Sequence, residues 1–206
     1  MTKKFKISQQ ETDKSCGVAC LRSIMNYYGK NLSEKDLWAK NKPYQTKNEG
    51  IRNPIMNLGV TALKFGFDVT YIGYNPIIVN NNSSKDLKKS LKEKSKTYFD
   101  YGKFYIDETL KFLKLGGKIE SDKLNIKKIK NLIDKHKFIL VEIKPAFLHK
   151  WGSINMNHKI ILAGYNKKGF KALNPSDAKE HILDFDTFLL AFYAAIPELL
   201  IIKKRK

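Results

Sequence analysis

The sequence predicts an α+β fold, with a helical N-terminal part followed by a mostly antiparallel β-sheet. Three observations carry that reading. Apolar residues recur at three- and four-residue spacing through the first third of the chain. Beyond Lys137 the texture changes to short β-rich runs separated by turn residues. No internal repeat or linker divides the 206 residues, a length that suits one domain, residues 1–206.

From Cys16 to Tyr28, the residues Val18, Ala19, Leu21, Ile24, Met25 and Tyr28 share one helical face, with Gly29 at the C-cap. Ser33 is placed to cap a short helix, Glu34 to Lys40, that carries Leu37 and Trp38 inward. A polar loop runs on to Gly50. Pro54 to Phe65 predicts a third helix, with Ile55, Leu58, Ala62 and Phe65 on one side and Gly66 closing it. Phe67 to Tyr74 alternates and is β-rich, a strand. Residues 76–118 are a lysine-rich insertion. Asn80 to Ser84 reads as a loop or helix start, Lys85 to Leu115 has helical periodicity, and Gly116-Gly117 ends it. Asn125 to Lys137 is an amphipathic helix with Ile126, Ile129, Leu132 and Ile133 on its apolar face. Strands follow at Phe138–Ile143, Lys159–Tyr165 and Gly169–Leu173, the last two joined by a hairpin turn at Asn166–Gly169. Phe185 to Ala195 is a helix and Glu198 to Lys203 a final strand.

With 42% hydrophobic and 12% aromatic residues, the chain can build a core. Its longest apolar runs, such as Leu199 to Ile202, fall far short of the ~20 residues a membrane span needs. The basic N-terminus, Met1 to Lys6, has no apolar stretch behind it, so no secretory signal is read and a cytoplasmic protein is expected. Two cysteines, Cys16 and Cys20, lie four residues apart on one helix. A bridge between them would be strained and a metal would need further ligands, so neither disulfide nor metal is expected. The 39 basic residues against 20 acidic give a net charge of +19. Only Arg22, Arg52 and Arg205 are arginines, and the lysines are dispersed with no aromatic–basic module among them. That reads as solvated surface rather than a specific nucleic-acid site, with salt-labile polyanion binding at most.

The informative segment runs from Gln10 to Cys20. Cys16 stands where a loop becomes a helix, and the free N–H groups and dipole there favour a thiolate. Gly17 lets a substrate backbone approach. Gln10, six residues upstream, can bring its amide beside the Cys16 N–H as an oxyanion hole. Of the four histidines, His136 ends a lysine-rich helix, His149 lies in a loop and His181 in a polar stretch. Only His158 opens an apolar strand. The hairpin returns Asn174 beside it, where Asn174 can fix the imidazole tautomer, completing a Cys-His-Asn constellation. Asp177 is a second candidate for that orienting role. Cys20 reads as an inert core thiol. Trp38 reads as a core residue and Trp151 as part of the cleft wall.

The pattern resembles the papain-like cysteine peptidases, most closely the branch of bacteriocin-processing, double-glycine-leader peptidases and their stand-alone relatives. The matching residues are Gln10, the Cys16-Gly17-Val18-Ala19 run, and the Asn26-Tyr27-Tyr28-Gly29 helix end. Glu49-Gly50-Ile51, His158 opening a strand, Gly164-Tyr165 and Asn174-Pro175 complete the set. By resemblance Gln10 is the oxyanion donor, Cys16 the nucleophile, His158 the base and Asn174 the orienter. The branch usually has Asp-Pro where this chain has Asn174-Pro175, and residues 76–118 exceed the minimal domain. The resemblance implies a thiol hydrolase cleaving a peptide or amide bond with no cofactor. The same triad also serves acyl transfer to an amine, and an idle binding module for a peptide or anionic partner is the remaining alternative. A peptide or protein substrate is the partner implied; oligomeric state is not legible.

Overall fold

Leu140, Ile161, Leu173, Leu200 and Ile202 belong to one hydrophobic core. Their neighbours Ile139, Val141, Ile160, Leu162, Leu199 and Ile201 belong to another. Side chains on a strand alternate between faces, so this parity marks a sheet buried on both sides. The computed structural model describes residues 5–46, 50–75, 78, 84–148 and 156–205. The predicted residues His149, Trp151, Glu49 and Asn80 to Ser83 lie outside those.

The sheet holds seven strands: β3 (Phe67–Gly73), β4 (Lys118–Ser121), β5 (Ile139–Ile143), β6 (His158–Tyr165), β7 (Phe170–Asn174), β8 (Lys179–Leu183) and β9 (Glu198–Lys204). Their spatial order is β4-β3-β9-β5-β6-β7-β8. Among the described residues only the β3–β4 pair is parallel. Against one face pack α1 (Cys16–Tyr27), α2 (Glu34–Lys40), α3 (Ile55–Lys64), α4 (Ser84–Thr97) and α5 (Asp100–Lys114). The other face is covered by α6 (Ile126–His136) and α7 (Phe185–Ala194).

The expected elements form where their signals place them. Gly29 and Gly66 take positive φ after α1 and α3, the left-handed turn that only glycine adopts without strain. Ser33 and Asp36 make a reciprocal capping box on α2. Asn125 caps α6 by accepting from the Lys128 N–H at 2.8 Å. Three features differ from expectation. The polar loop before Gly50 contains a small hairpin, β1 (Tyr44–Thr46) with β2 (Gly50–Arg52). The lysine-rich helical stretch is two helices, broken where Phe99 is extended and Asp100 takes φ 50. Strands β4 and β8 went unread because both are sheet edges made of charged sequence, Lys-Ile-Glu-Ser and Lys-Glu-His-Ile-Leu.

The insertion has a topological job. The β3–β4 pairing is parallel, so the chain must cross over between them, and α4 and α5 make that crossover. Helix α5 packs on α3 and sends Tyr105 and Phe112 into the core, so it is an integral layer. Among the described residues, no helix is long and apolar enough to cross a membrane.

Candidate active site

Cys16 is the first residue of α1. Ser15 precedes it without capping the helix; its hydroxyl instead exchanges 3.0 Å hydrogen bonds with the Thr12 backbone. The first-turn N–H groups of α1 therefore receive no side-chain cap, which leaves the positive end of the helix dipole at the Cys16 sulfur.

Strands β6 and β7 bring the histidine and the asparagine together. Their register pairs Tyr165 with Phe170 and Gly164 with Lys171, then shifts by one at a bulge so that Leu162 meets Ala172 and Ile161 meets Leu173. A one-residue slip moves a strand's side chains to the opposite face. With the bulge at Ala163, Asn174 falls opposite Ile160, on the same face as His158. The His158 Nε2 then lies 2.8 Å from Asn174 Oδ1. Asn174 Oδ1 also accepts from the Ser176 N–H at 3.1 Å, which fixes the amide. Its oxygen accepts the Nε2 proton, and Nδ1 is left for the thiol.

Cys16 and His158 are close enough for each to shift the other's pKa. Burial by itself raises the Cys16 thiol. The bond and charge of His158, followed by the Lys159 charge and backbone N–H, outweigh it and hold the pKa below the ordinary value. Burial disfavours the His158 cation, but the bonds to Cys16 and Asn174 reverse that and raise its pKa. The two shifts run toward each other's charge, the signature of a thiolate–imidazolium pair. Cys20 is fully buried, and burial followed by the Cys16 charge pushes its thiol well up, so the two cysteines are chemically opposite.

Gln10 reaches the site through the β7 end. Its N–H donates to the Pro175 carbonyl at 2.9 Å, and its Oε1 accepts from Ser176 Oγ at 3.2 Å. Its Nε2 donates one proton to the Thr12 carbonyl at 3.0 Å, leaving the second proton of the amide. Asp177, the rival orienter, instead pairs with His181 at 2.7 Å.

Several supporting residues had no sequence signal. Arg22 binds Glu11 at 2.6 Å and the Gln9 carbonyl at 3.0 Å, and buried Glu34 accepts from the Glu11 N–H at 3.2 Å. Together they pin the loop that carries Gln10. On β5, Glu142 sits across from Lys159 and forms an ion pair with it at 2.9 Å, both side chains buried. Glu142 also accepts from Asn157 Nδ2. It thereby holds the residues on both sides of His158.

Cys16 opens on a cleft of about 850 Å³, whose walls include Tyr101, Tyr105, Glu142, Lys159 and Glu198. Among the described residues no three His, Cys, Asp or Glu side chains converge as metal ligands.

The model of the Peptidase C39 family matches residues 4–90. No curated protein sequence matches the chain at a significant level. Among solved structures, the peptidase domain of Streptococcus ComA, a bifunctional ABC transporter of a quorum-sensing pathway, superposes with a TM-score of 0.54 at 13% identity, covering 98% of this chain and 100% of that one. A double-glycine-motif protease from an AMS/PCAT transporter, solved in complex with its leader peptide, has a TM-score of 0.51 at 15% identity, covering 98% and 93%. A C39-like peptidase from Bacillus anthracis has a TM-score of 0.51 at 16% identity, covering 98% and 96%. The family resemblance read from the sequence is thus met independently over residues 4–90. Residues 4–90 are similar to the Peptidase C39 family, and the chain has the α+β fold of C39 peptidase domains over nearly its whole length.

Proposed function

We propose that the protein is a cysteine peptidase that works through an acyl-enzyme on Cys16. The observation that carries this reading is the 2.8 Å bond between His158 and Asn174 beside Cys16, at the mouth of a cleft, with Cys16 and His158 shifting each other's pKa toward the charged forms. The Cys16 thiolate attacks the scissile carbonyl carbon, and the carbonyl electrons move to oxygen. The Cys16 N–H and the second Nε2 proton of Gln10 receive that oxyanion. His158 then gives its Nδ1 proton to the departing amine as the C–N bond breaks, which leaves a thioester and a neutral imidazole. Water, deprotonated by His158, cleaves the thioester and restores the starting pair. Asn174 holds the ring so that Nδ1 faces sulfur throughout. A peptide substrate agrees with the leader peptide bound by the AMS/PCAT protease.

The test is to incubate wild type and Cys16→Ala with a proteome-derived peptide mixture and read new termini by mass spectrometry. New termini produced only by wild type, with free carboxylates even when an amine is added, are expected. Amides of the added amine would instead mark an acyl transferase. No turnover with an unreactive Cys16 would leave the idle binding module.

A further inference from the structure

Two buried carboxylates, Glu142 and Glu198, line the cleft beside Cys16, and the buried cation Lys159 pairs with Glu142, on the strand between Lys159 and Glu198. Glu142 is accounted for, since Lys159 and Asn157 both reach it. Glu198 is not. It is 2% exposed, and the hydroxyls of Tyr71 and Tyr105 both donate to its Oε2, at 2.8 and 2.9 Å. Among the described residues no hydrogen bond reaches Oε1. Oε1 is not among the fully buried unpaired atoms, so it is open to the cleft and free to meet a cationic ligand group. The cleft leads to that oxygen.

The walls fit a particular kind of ligand. Tyr101 and Tyr105 come from α5, in the insertion, and supply aromatic surface on which an aliphatic stem and a cationic head can lie. Tyr101 already accepts Arg52 over its ring, with the guanidinium carbon 5.2 Å from the centroid. The cations at the mouth, Lys14 and Arg52, are exposed and screened by solvent, and Lys144 is half-buried.

We infer that the cleft beside Cys16 holds a subsite for a basic side chain of the substrate, a lysine or an arginine, seated on Glu198 and flanked by Tyr101 and Tyr105 of the inserted helix. The subsite rests on the peptidase reading of the same cleft and gives residues 76–118 a role in specificity. A cation on Oε1 balances the second carboxylate. It also relieves the burial and the Glu142 charge that push the Glu198 pKa up to about 7.

The probes are dipeptidyl chloromethyl ketones carrying lysine, norleucine or glutamate at each of the two positions in turn. The rate of Cys16 alkylation is followed by mass spectrometry. In wild type, lysine is expected to react at least about 10-fold faster than norleucine at one position, a factor worth about 1.4 kcal/mol. Glu198→Gln should bring that ratio near unity. A second measurement needs no variant: the lysine-to-norleucine ratio in wild type should rise between pH 6 and pH 8 as Glu198 ionises. Of the groups facing Glu198, Tyr71 on β3, Tyr101 and Tyr105 on α5, and Lys159 on β6 all have pKa values raised, and so keep one protonation state over that range. Glu142 on β5 keeps Lys159 as its ion-pair partner, and Arg52 on β2 lies over the Tyr101 ring. A ratio near unity at both positions, or a preference for glutamate, while iodoacetamide still alkylates Cys16 below pH 7, overturns the subsite alone. A Cys16 that iodoacetamide alkylates only near pH 8.5 overturns the peptidase reading and the subsite with it.

Discussion

Replacing Glu198 by glutamine removes a buried carboxyl charge while keeping its shape, and the structure fixes the sign of the stability change. Desolvation, followed by the charge of Glu142, raises the Glu198 pKa from 4.5 to about 7, against the opposing bonds from Tyr71 and Tyr105. Between those values the folded protein holds a proton that the unfolded chain releases. Stability from this group is therefore greatest below pH 4.5 and falls as pH rises through 7. At 1.36 kcal/mol per unit the full cost of ionised Glu198 is about 3 kcal/mol. Glutamine avoids that cost but exchanges two charge-assisted tyrosine bonds for neutral ones, at about 1 kcal/mol. Urea unfolding of both proteins at pH 5.0 and pH 8.5 reads the difference. Glu198→Gln should be about 2 kcal/mol more stable than wild type at pH 8.5, and no more stable at pH 5.0. Equal differences at the two pH values, or a variant weaker at pH 8.5, would refute the argument that this carboxylate is buried at a cost.

Three further changes probe the site and its frame. Asn174→Ala removes the 2.8 Å bond to His158 and one cause of its raised pKa. A loss of about 10-fold or more in kcat/KM is expected, with the alkaline limb of the pH–rate profile moving to lower pH. Lys159→Met strands Glu142 in the interior, so urea melts should show about 3–5 kcal/mol lost, recovered in large part by Lys159→Met with Glu142→Met. The single variant should also raise the Cys16 pKa, because the Lys159 charge is one of the causes holding it down. Gly169→Ala would place a Cβ 1.9 Å from the Leu183 carbonyl oxygen. Backbone cannot yield there, so β7 and β8 must part; a stability loss of about 3 kcal/mol is expected by thermal melting, with activity falling too because β7 carries Asn174.

The sequence carried the helices and the site because both rest on local signals. Cys16, Gly29, Ser33 and Gly66 each mark a helix end, and the amphipathic faces between them are continuous. Gln10, Cys16, His158 and Asn174 could be selected from residue type and spacing, and the fold bonds His158 to Asn174, sets Cys16 beside His158 and ties Gln10 to Ser176 next to Asn174. The features that stayed hidden are set by tertiary contact. Edge strands β4 and β8 are charged because edges face water, so they lack the apolar alternation that marks a strand. The bulge at Ala163, which turns Asn174 to the face of His158, has no residue signature. Glu142 and Glu198 sat inside runs read simply as strands, and their pairing with Lys159, Tyr71 and Tyr105 spans up to 127 residues of chain. The sequence leaves the role of insertion 76–118 open, and its second helix forms a wall of the cleft.

The central claim is that Cys16 is held as a thiolate by His158. Its most direct measurement is the pH dependence of Cys16 alkylation by iodoacetamide, in wild type and in His158→Ala, with Cys20 followed on the same peptide maps. His158 lowers the Cys16 pKa and Cys16 raises that of His158, so the account predicts that wild-type Cys16 reacts well below pH 7 while Cys20 stays inert. That low-pH reactivity should vanish in His158→Ala. A wild-type profile rising only near pH 8.5, or one unchanged by loss of His158, would contradict the account.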